Sequence, residues 1–92
     1  MNDEIRILIV EDQPADVGLA RREIRKSVKS CVFYQAETRE AFLDALETFQ
    51  PDIILADYHL PRFDGMTALK LAKERVPLVP LILWTGSLSE DV

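Results

Sequence analysis

Acidic and hydroxyl residues stand directly after three apolar runs of this sequence. Glu11 and Asp12 follow the run IRILIV, Asp57 ends the run IILAD, and Thr85 and Gly86 follow the run LILW. Carboxylates that converge on one small site repel one another and lose hydration, so one must hold a proton unless a cation binds. Oxygen ligands without clustered His or Cys favour a hard ion such as Mg²⁺. The residue types therefore predict a magnesium site.

Asp57 is the candidate nucleophile of this site. With Mg²⁺ bound, its carboxylate could attack phosphorus while the metal offsets the charge that grows on the transferring oxygens. The Thr85 hydroxyl could donate to one of those oxygens, and the backbone N–H groups of His59 and Gly86 could hold the others. The side chain of His59 itself is interpreted as a loop residue, because a single imidazole without a partner is weak evidence for proton transfer.

Four strands and three helices must position these residues. Runs rich in branched residues predict strands buried on both faces of a parallel sheet, and the run with the polar Gln35 predicts a strand nearer the edge. The strands are predicted at 5–10, 32–36, 53–56 and 81–84. Helices are predicted to begin at Pro14, after the cap Thr38 and at Asp64–Gly65, with a loop over residues 58–65. The apolar stripes of these helices are Val17, Ala20, Ile24 and Val28; Phe42, Ala45, Leu46 and Phe49; and Met66, Leu69 and Ala72.

The regular alternation of strand and helix predicts an α/β sandwich with right-handed crossovers and a parallel sheet covered on both faces. In such sheets the binding crevice lies at the carboxyl ends of the strands, where the strand order reverses. All the candidate residues would therefore meet at one edge of the sheet. An acidic pair after the first strand can also simply cap a helix, but capping alone would not explain Asp57 and Thr85.

The segments ILIVED and PDIILADYHLPRFDG, followed by a strand ending in TG, resemble a bacterial two-component response-regulator receiver domain. This resemblance covers the whole chain and implies the flavodoxin-like (CheY-like) fold with strand order 2-1-3-4. It implies Asp57 as phosphoryl acceptor, Asp12 and Asp57 as direct Mg²⁺ ligands, the His59 carbonyl as a third ligand, Glu11 acting through water, and Thr85 as the switch hydroxyl. The phosphodonor would be a sensor histidine kinase or a histidine phosphotransfer protein. The wording DYHLPRFDG further resembles receivers attached to sensor histidine kinases.

The family pattern continues beyond these residues through a fifth strand that ends in a Lys and a fifth helix. Lys70 and Lys73 lie in the third predicted helix and do not replace that Lys. Residues 1–92 are therefore expected to form a single, incomplete receiver domain that ends at the start of its fourth helix. An exposed fourth strand and an uncovered sheet face predict a homodimer. Arg62 and Phe63 occupy loop positions that are often smaller, a departure that is expected to alter surface docking but to leave the carboxylates alone.

Composition excludes several other functions. The net charge of -5 disfavours direct nucleic-acid binding, and no apolar run is long enough to span a bilayer. The start of the chain lacks a signal-peptide pattern and Cys31 has no partner for a disulfide, so a cytoplasmic protein is expected. Five basic residues on the first helix form a solvated face or, alternatively, a docking surface for an acidic partner: Arg21, Arg22, Arg25, Lys26 and Lys29.

Two other functions compete with the phosphoacceptor reading. A nucleotide hydrolase would need a phosphate loop of the type GxxxxGK(S/T), which the sequence lacks. A receiver-like interaction module that is not phosphorylated stays open as the alternative. Under the phosphoacceptor hypothesis, the full-length domain phosphorylates and dephosphorylates itself. It is then not a conventional turnover enzyme. Trp84 is interpreted as core filling next to the site.

Overall fold

The computed structural model describes residues 4–57 and 63–84, with the side chain of Trp84 excepted. The strands are β1 (Ile5–Val10), β2 (Cys31–Ala36), β3 (Ile53–Asp57) and β4 (Leu81–Trp84), and the helices are α1 (Pro14–Ser27), α2 (Arg39–Thr48) and α3 (Gly65–Arg75). Every predicted element in this range is confirmed, with ends shifted by one residue at most. The predicted fourth helix start and most of the predicted loop after β3 lie outside the described residues.

The strands form a parallel sheet in the order β2-β1-β3-β4. This order confirms the flavodoxin-like sandwich, and it puts β1 between β2 and β3. At the carboxyl end of β1, Val10 pairs with both Ala36 of β2 and Ala56 of β3. The next residue of β3, Asp57, pairs with Trp84 of β4. The ends of the strands that carry the candidate site residues therefore lie side by side.

Hydrophobicity explains which strands occupy the centre of the sheet. In β1 the last residues of the strand, Leu8 to Val10, have no exposed surface. In β2 only the end residues Cys31 and Ala36 are buried, while Tyr34 is 42% exposed and stacks on Phe49. A strand with polar and half-exposed residues loses least at the edge. The prediction that β2 lies nearer the edge is confirmed.

Side-chain caps set the starts of two helices. The Thr38 hydroxyl accepts a hydrogen bond from the N–H of Ala41 at 3.1 Å, at the start of α2. The Asp64 carboxylate accepts one from the N–H of Thr67 at 2.8 Å, at the start of α3. Hydrogen bonding to Thr67 also lowers the pKa of Asp64 below its ordinary value. The predicted beginnings of these helices are thus fixed by polar side chains, and Pro14 occupies the first turn of α1 as predicted.

The core has one part on each face of the sheet. Helices α2 and α3 cover one face, where Phe42, Leu8 and Ile54 are completely buried. Helix α1 covers the other face with Val17 and Ala20, which pack near Ile9. Within the described part of the chain, no helix is long and apolar enough to cross a membrane.

Two sequence interpretations of the α3 region are wrong. Met66 was expected in the core stripe but is 50% exposed, because α3 turns Ala68, Leu71 and Ala72 toward the sheet. Phe63 was expected to alter surface docking through its size, but it is 4% exposed, and its ring lies 5.2 Å from that of Phe42. An aromatic ring gains most when it is buried against another ring, so Phe63 closes the core beneath the loop.

The α1 face of the sheet remains partly open beyond the helix. Ile5 is 38% exposed and Ile82 of β4 is 49% exposed. Together with Ile24, Val28 and Leu55 they border an apolar cavity of about 260 Å³. Among the described residues nothing polar lines this cavity, so apolar side chains are exposed on this side of the sheet.

Candidate functional site

The parallel sheet brings Glu11 and Asp57 together at its carboxyl edge. Val10 and Ala56 are partners in the β1–β3 pairing. Glu11 is the residue directly after Val10, and Asp57 is the residue directly after Ala56. Both are buried, Glu11 with no exposed surface and Asp57 with 7%. Buried carboxylates need hydrogen-bond donors, protons or a cation to replace the lost water. This buried pair would therefore be stabilised by a proton or a bound cation.

Glu11 is held tightly by the turn that follows β1. Its own N–H donates to the carbonyl of Ala36 at 3.2 Å. Its carboxylate folds back, and Oε2 accepts hydrogen bonds from the N–H groups of Asp12 at 3.1 Å and Gln13 at 3.0 Å. Both donors precede Pro14, so Oε2 holds the turn that leads into α1.

The second carboxyl oxygen of Glu11 has a different environment. Oε1 is buried, and no donor among the described residues reaches it. The pKa of Glu11 is raised to about 7, first by burial and then by hydrogen bonding and charge repulsion from Asp57, against the lowering effect of the Gln13 N–H. One proton shared with Asp57 would satisfy Oε1 in the absence of metal. A divalent cation at the same place would replace that proton.

Asp12 follows in the same turn and is only partly buried. Over residues 4–57 and 63–84, no three His, Cys, Asp or Glu side chains lie close enough together to form a metal cluster. The structure thus joins Glu11 with Asp57, and the part of Asp12 in the metal site stays a prediction. Mg²⁺ needs few protein oxygens because it keeps several waters. The buried pair, with its undonated oxygen, fits such an ion.

Three predicted site residues, His59, Thr85 and Gly86, lie outside the described residues. Their roles as metal ligand, switch hydroxyl and backbone donor stay predictions.

The sequence interpretation missed a contact made by Gln35. Its side-chain Nε2 donates to the backbone carbonyl of Glu11 at 2.8 Å and lies 3.5 Å from the Glu37 carboxylate. Gln35 was noticed in the sequence only as a sign of an edge strand. The available signal was that Gln35 is a polar residue one position before the end of β2, a strand that borders the site.

Comparisons with known proteins agree with this geometry. A family model described as response regulator receiver domain matches residues 7–92. The DNA-binding transcriptional regulator NtrC of Klebsiella pneumoniae is 35% identical over 78 residues, which make up 85% of this chain and 16% of that protein.

Solved structures share the fold. The phosphorylated cyanobacterial phytochrome response regulator RcpA has a TM-score of 0.70 at 27% identity, covering 96% of this chain and 69% of that one. The receiver domain of a sensor histidine kinase from Pseudomonas aeruginosa PAO1, solved with a magnesium ion in its active-site cleft, has a TM-score of 0.73 at 24% identity. That match covers 87% of this chain and 66% of the kinase receiver, and it shows the fold alone.

A parallel sheet in the order 2-1-3-4 with acidic residues at its carboxyl edge is the architecture of a CheY-like receiver, and the family model supports this class. The chain belongs to the response regulator receiver domain family of two-component systems. Membership supports a phosphoacceptor role in general terms and an interaction with histidine kinases or phosphotransfer proteins. The chain spans only 16% of the length of the Klebsiella regulator, so the activity and output of a whole protein are matters for proposal.

Proposed function

We propose that Asp57 accepts a phosphoryl group in a Mg²⁺-dependent reaction and thereby switches the interactions of the domain. The observation that carries this proposal is the buried pair of Glu11 and Asp57, in which Glu11 Oε1 has no donor among the described residues. A structural carboxylate pair would be costly at this place without a cation. A phosphoacceptor site needs such a pair, because the same cation that neutralises it also draws in a phosphoryl group.

In the proposed reaction an oxygen of Asp57 forms a bond to phosphorus as the bond from phosphorus to the donor breaks. With a phosphohistidine donor, the imidazole nitrogen leaves with the bonding electron pair. Bound Mg²⁺ supplies neutralisation of the charge on the transferring oxygens. Asp12 and Asp57 would contact the metal directly, together with the carbonyl of His59, and Glu11 would act through water. Hydrolysis by water would return Asp57 to its starting state.

The hydroxyl of Thr85 and the N–H of Gly86 belong to the same proposal as donors to the phosphoryl oxygens. The partner would be a sensor histidine kinase or a histidine phosphotransfer protein. We place the domain in the cytoplasm, without direct contact to nucleic acid or membrane. Full activity is proposed to depend on the fifth strand and fifth helix of the family pattern. The phosphorylated state of RcpA, a relative by fold at 27% identity, supports the proposed modification.

Intact mass spectrometry tests the acceptor directly. In a chain that extends through a fifth strand and helix, acetyl phosphate with Mg²⁺ should add one phosphoryl group, which Asp57→Asn abolishes. Asp52→Asn is the matched control, since Asp52 lies before the opposite end of β3 and accepts from the N–H of Arg6 at 2.8 Å. We expect the 92-residue chain to react slowly or not at all. An unmodified mass in the folded, extended chain would reject the acceptor role in favour of a receiver-like interaction module.

Metal binding is tested separately in the 92-residue chain. Weak Mg²⁺ binding should change the fluorescence of Trp84, whose backbone pairs with Asp57. Asp12→Ala should weaken the response. Fluorescence that ignores both Mg²⁺ and the substitution would count against the proposed metal site.

A further inference from the structure

Gln35 connects the edge strand β2 to the turn that holds the acidic residues. It lies 24 positions from Glu11 in sequence, yet its Nε2 donates to the Glu11 carbonyl at 2.8 Å. The residue is partly buried and is next to Ala36, whose carbonyl accepts from the N–H of Glu11 at 3.2 Å. The end of β2 therefore holds Glu11 through one backbone contact and one side-chain contact.

The peptide group between Glu11 and Asp12 is held on both of its polar sides. Its carbonyl oxygen accepts from Gln35, and its N–H donates to Glu11 Oε2 at 3.1 Å. A peptide group is planar, so fixing its oxygen and its hydrogen fixes the orientation of the whole unit. That orientation sets the direction in which the chain, and with it the Asp12 side chain, continues.

From this geometry we infer that Gln35 is a positioning residue for the metal-binding turn, an inference that rests on the proposed function. Without its donor the Glu11 carbonyl loses its described side-chain partner, and the Glu11–Asp12 unit can rotate. Ligands held by hydrogen bonds from outside the coordination sphere lose metal affinity when those bonds are removed. Gln35 thus acts on the metal through Glu11 and Asp12 and does not touch it.

The bland explanation is that Gln35 merely satisfies a carbonyl near a sheet edge. A single neutral hydrogen bond at a partly exposed site adds only about 1 kcal/mol to the free energy of unfolding of the whole domain. The two explanations differ in where the effect appears. If Gln35 positions the turn, its loss should change amide exchange and Mg²⁺ affinity at the Glu11–Gln13 turn. If Gln35 only stabilises the fold, its loss should speed unfolding-dependent exchange throughout the domain.

Gln35→Met tests the inference, because methionine has a similar length but no donor. We expect the Mg²⁺ dissociation constant, measured by calorimetry, to rise about tenfold. In the metal-free protein, amide hydrogen exchange at Asp12 and Gln13 should accelerate at least about threefold, while exchange at Leu55 in the central strand β3 stays unchanged. Gln35→Lys, which restores a donor of similar reach, should restore the slow exchange at Asp12 and Gln13.

Glu37→Gln is the matched control. It removes the carboxylate 3.5 Å from the same nitrogen but leaves the Gln35 donor in place, so Mg²⁺ affinity should change less than twofold. Equal Mg²⁺ affinity in the native chain and Gln35→Met would overturn the inference, as would a uniform acceleration of exchange that includes Leu55. Absence of Mg²⁺ binding in the native chain would instead reject the proposed metal site itself.

Discussion

The two carboxyl oxygens of Glu11 have opposite environments. Oε2 accepts from the N–H groups of Asp12 and Gln13, and Oε1 is buried beside Asp57 without a donor among the described residues. A sequence motif of adjacent acidic residues does not distinguish these oxygens. The difference makes the site sensitive to both protons and cations.

The metal-free protein should lose stability as the pH rises. The pKa of Glu11 is about 7 in the folded chain against an ordinary 4.5, because of burial and then Asp57. The folded state therefore binds the additional proton, and its contribution is complete below pH 4.5 and lost as the pH passes 7. We expect the free energy of unfolding to fall by roughly 1–3 kcal/mol across this window, with the proton belonging to the Glu11–Asp57 pair. Urea unfolding at several pH values without Mg²⁺ measures it.

Glu11→Gln isolates this effect. The amide oxygen can still accept from Asp12 and Gln13, and the amide N–H₂ can donate to Asp57. At pH 8 without metal, the variant should be more stable than the native chain by about 1–2 kcal/mol, because no charge is buried at position 11. The increase in its stability when Mg²⁺ is added should be smaller than in the native chain, because Glu11 would act on the metal only through water. A variant that is less stable than the native chain at pH 8 would show that the pair is not strained by charge.

At the scale of elements, side-chain contacts join helix α1 to the edge strand β2. Helix α1 begins after the Glu11–Gln13 turn, and Arg21 and Arg25 of this helix lie 5.4 and 5.3 Å from the centre of the Phe33 ring on β2. Of the basic residues on α1, Lys26 pairs with Glu23 at 3.1 Å. The two arginines therefore cover an edge aromatic ring, which gives this part of the basic face a structural role.

Thr38→Ala should show the importance of the α2 cap. It removes the oxygen that accepts from the N–H of Ala41, and such losses cost about 1 kcal/mol. Thr48→Ala in the same helix is the control, since its exposed hydroxyl donates to the Asp44 carbonyl and alanine is a better helix former. The midpoint of urea unfolding should fall for Thr38→Ala and hold or rise for Thr48→Ala. Equal midpoints would mean that the cap contributes nothing.

At the scale of the whole molecule, the α1 face of the sheet leaves apolar surface exposed, led by Ile82 at 49%. The sequence predicts such a face and self-association through it. Burying one isoleucine side chain contributes about 1.5–3 kcal/mol. We therefore expect a second copy of the chain to bind this surface at high concentration.

Ile82→Lys should weaken this self-association at least about tenfold, as measured by sedimentation equilibrium. Met66→Lys provides a matched control, because Met66 is 50% exposed but lies on α3, across the sheet from this face. Association that is equally weakened by both variants would indicate a general charge effect. A native chain that stays monomeric at high concentration would contradict the dimer prediction.

The sequence by itself determined the element order, the parallel sheet and the family, because strand and helix periodicity and the acidic residues after each strand are local patterns. The position of Met66 was predicted wrongly, since a stripe of spaced apolar residues does not say which of two neighbouring rows faces the sheet. Only the tertiary structure decided that Glu11 and Asp57 form a buried pair with one undonated oxygen. The contact from Gln35 to Glu11 also depends on the β1–β2 register, which joins residues far apart in sequence.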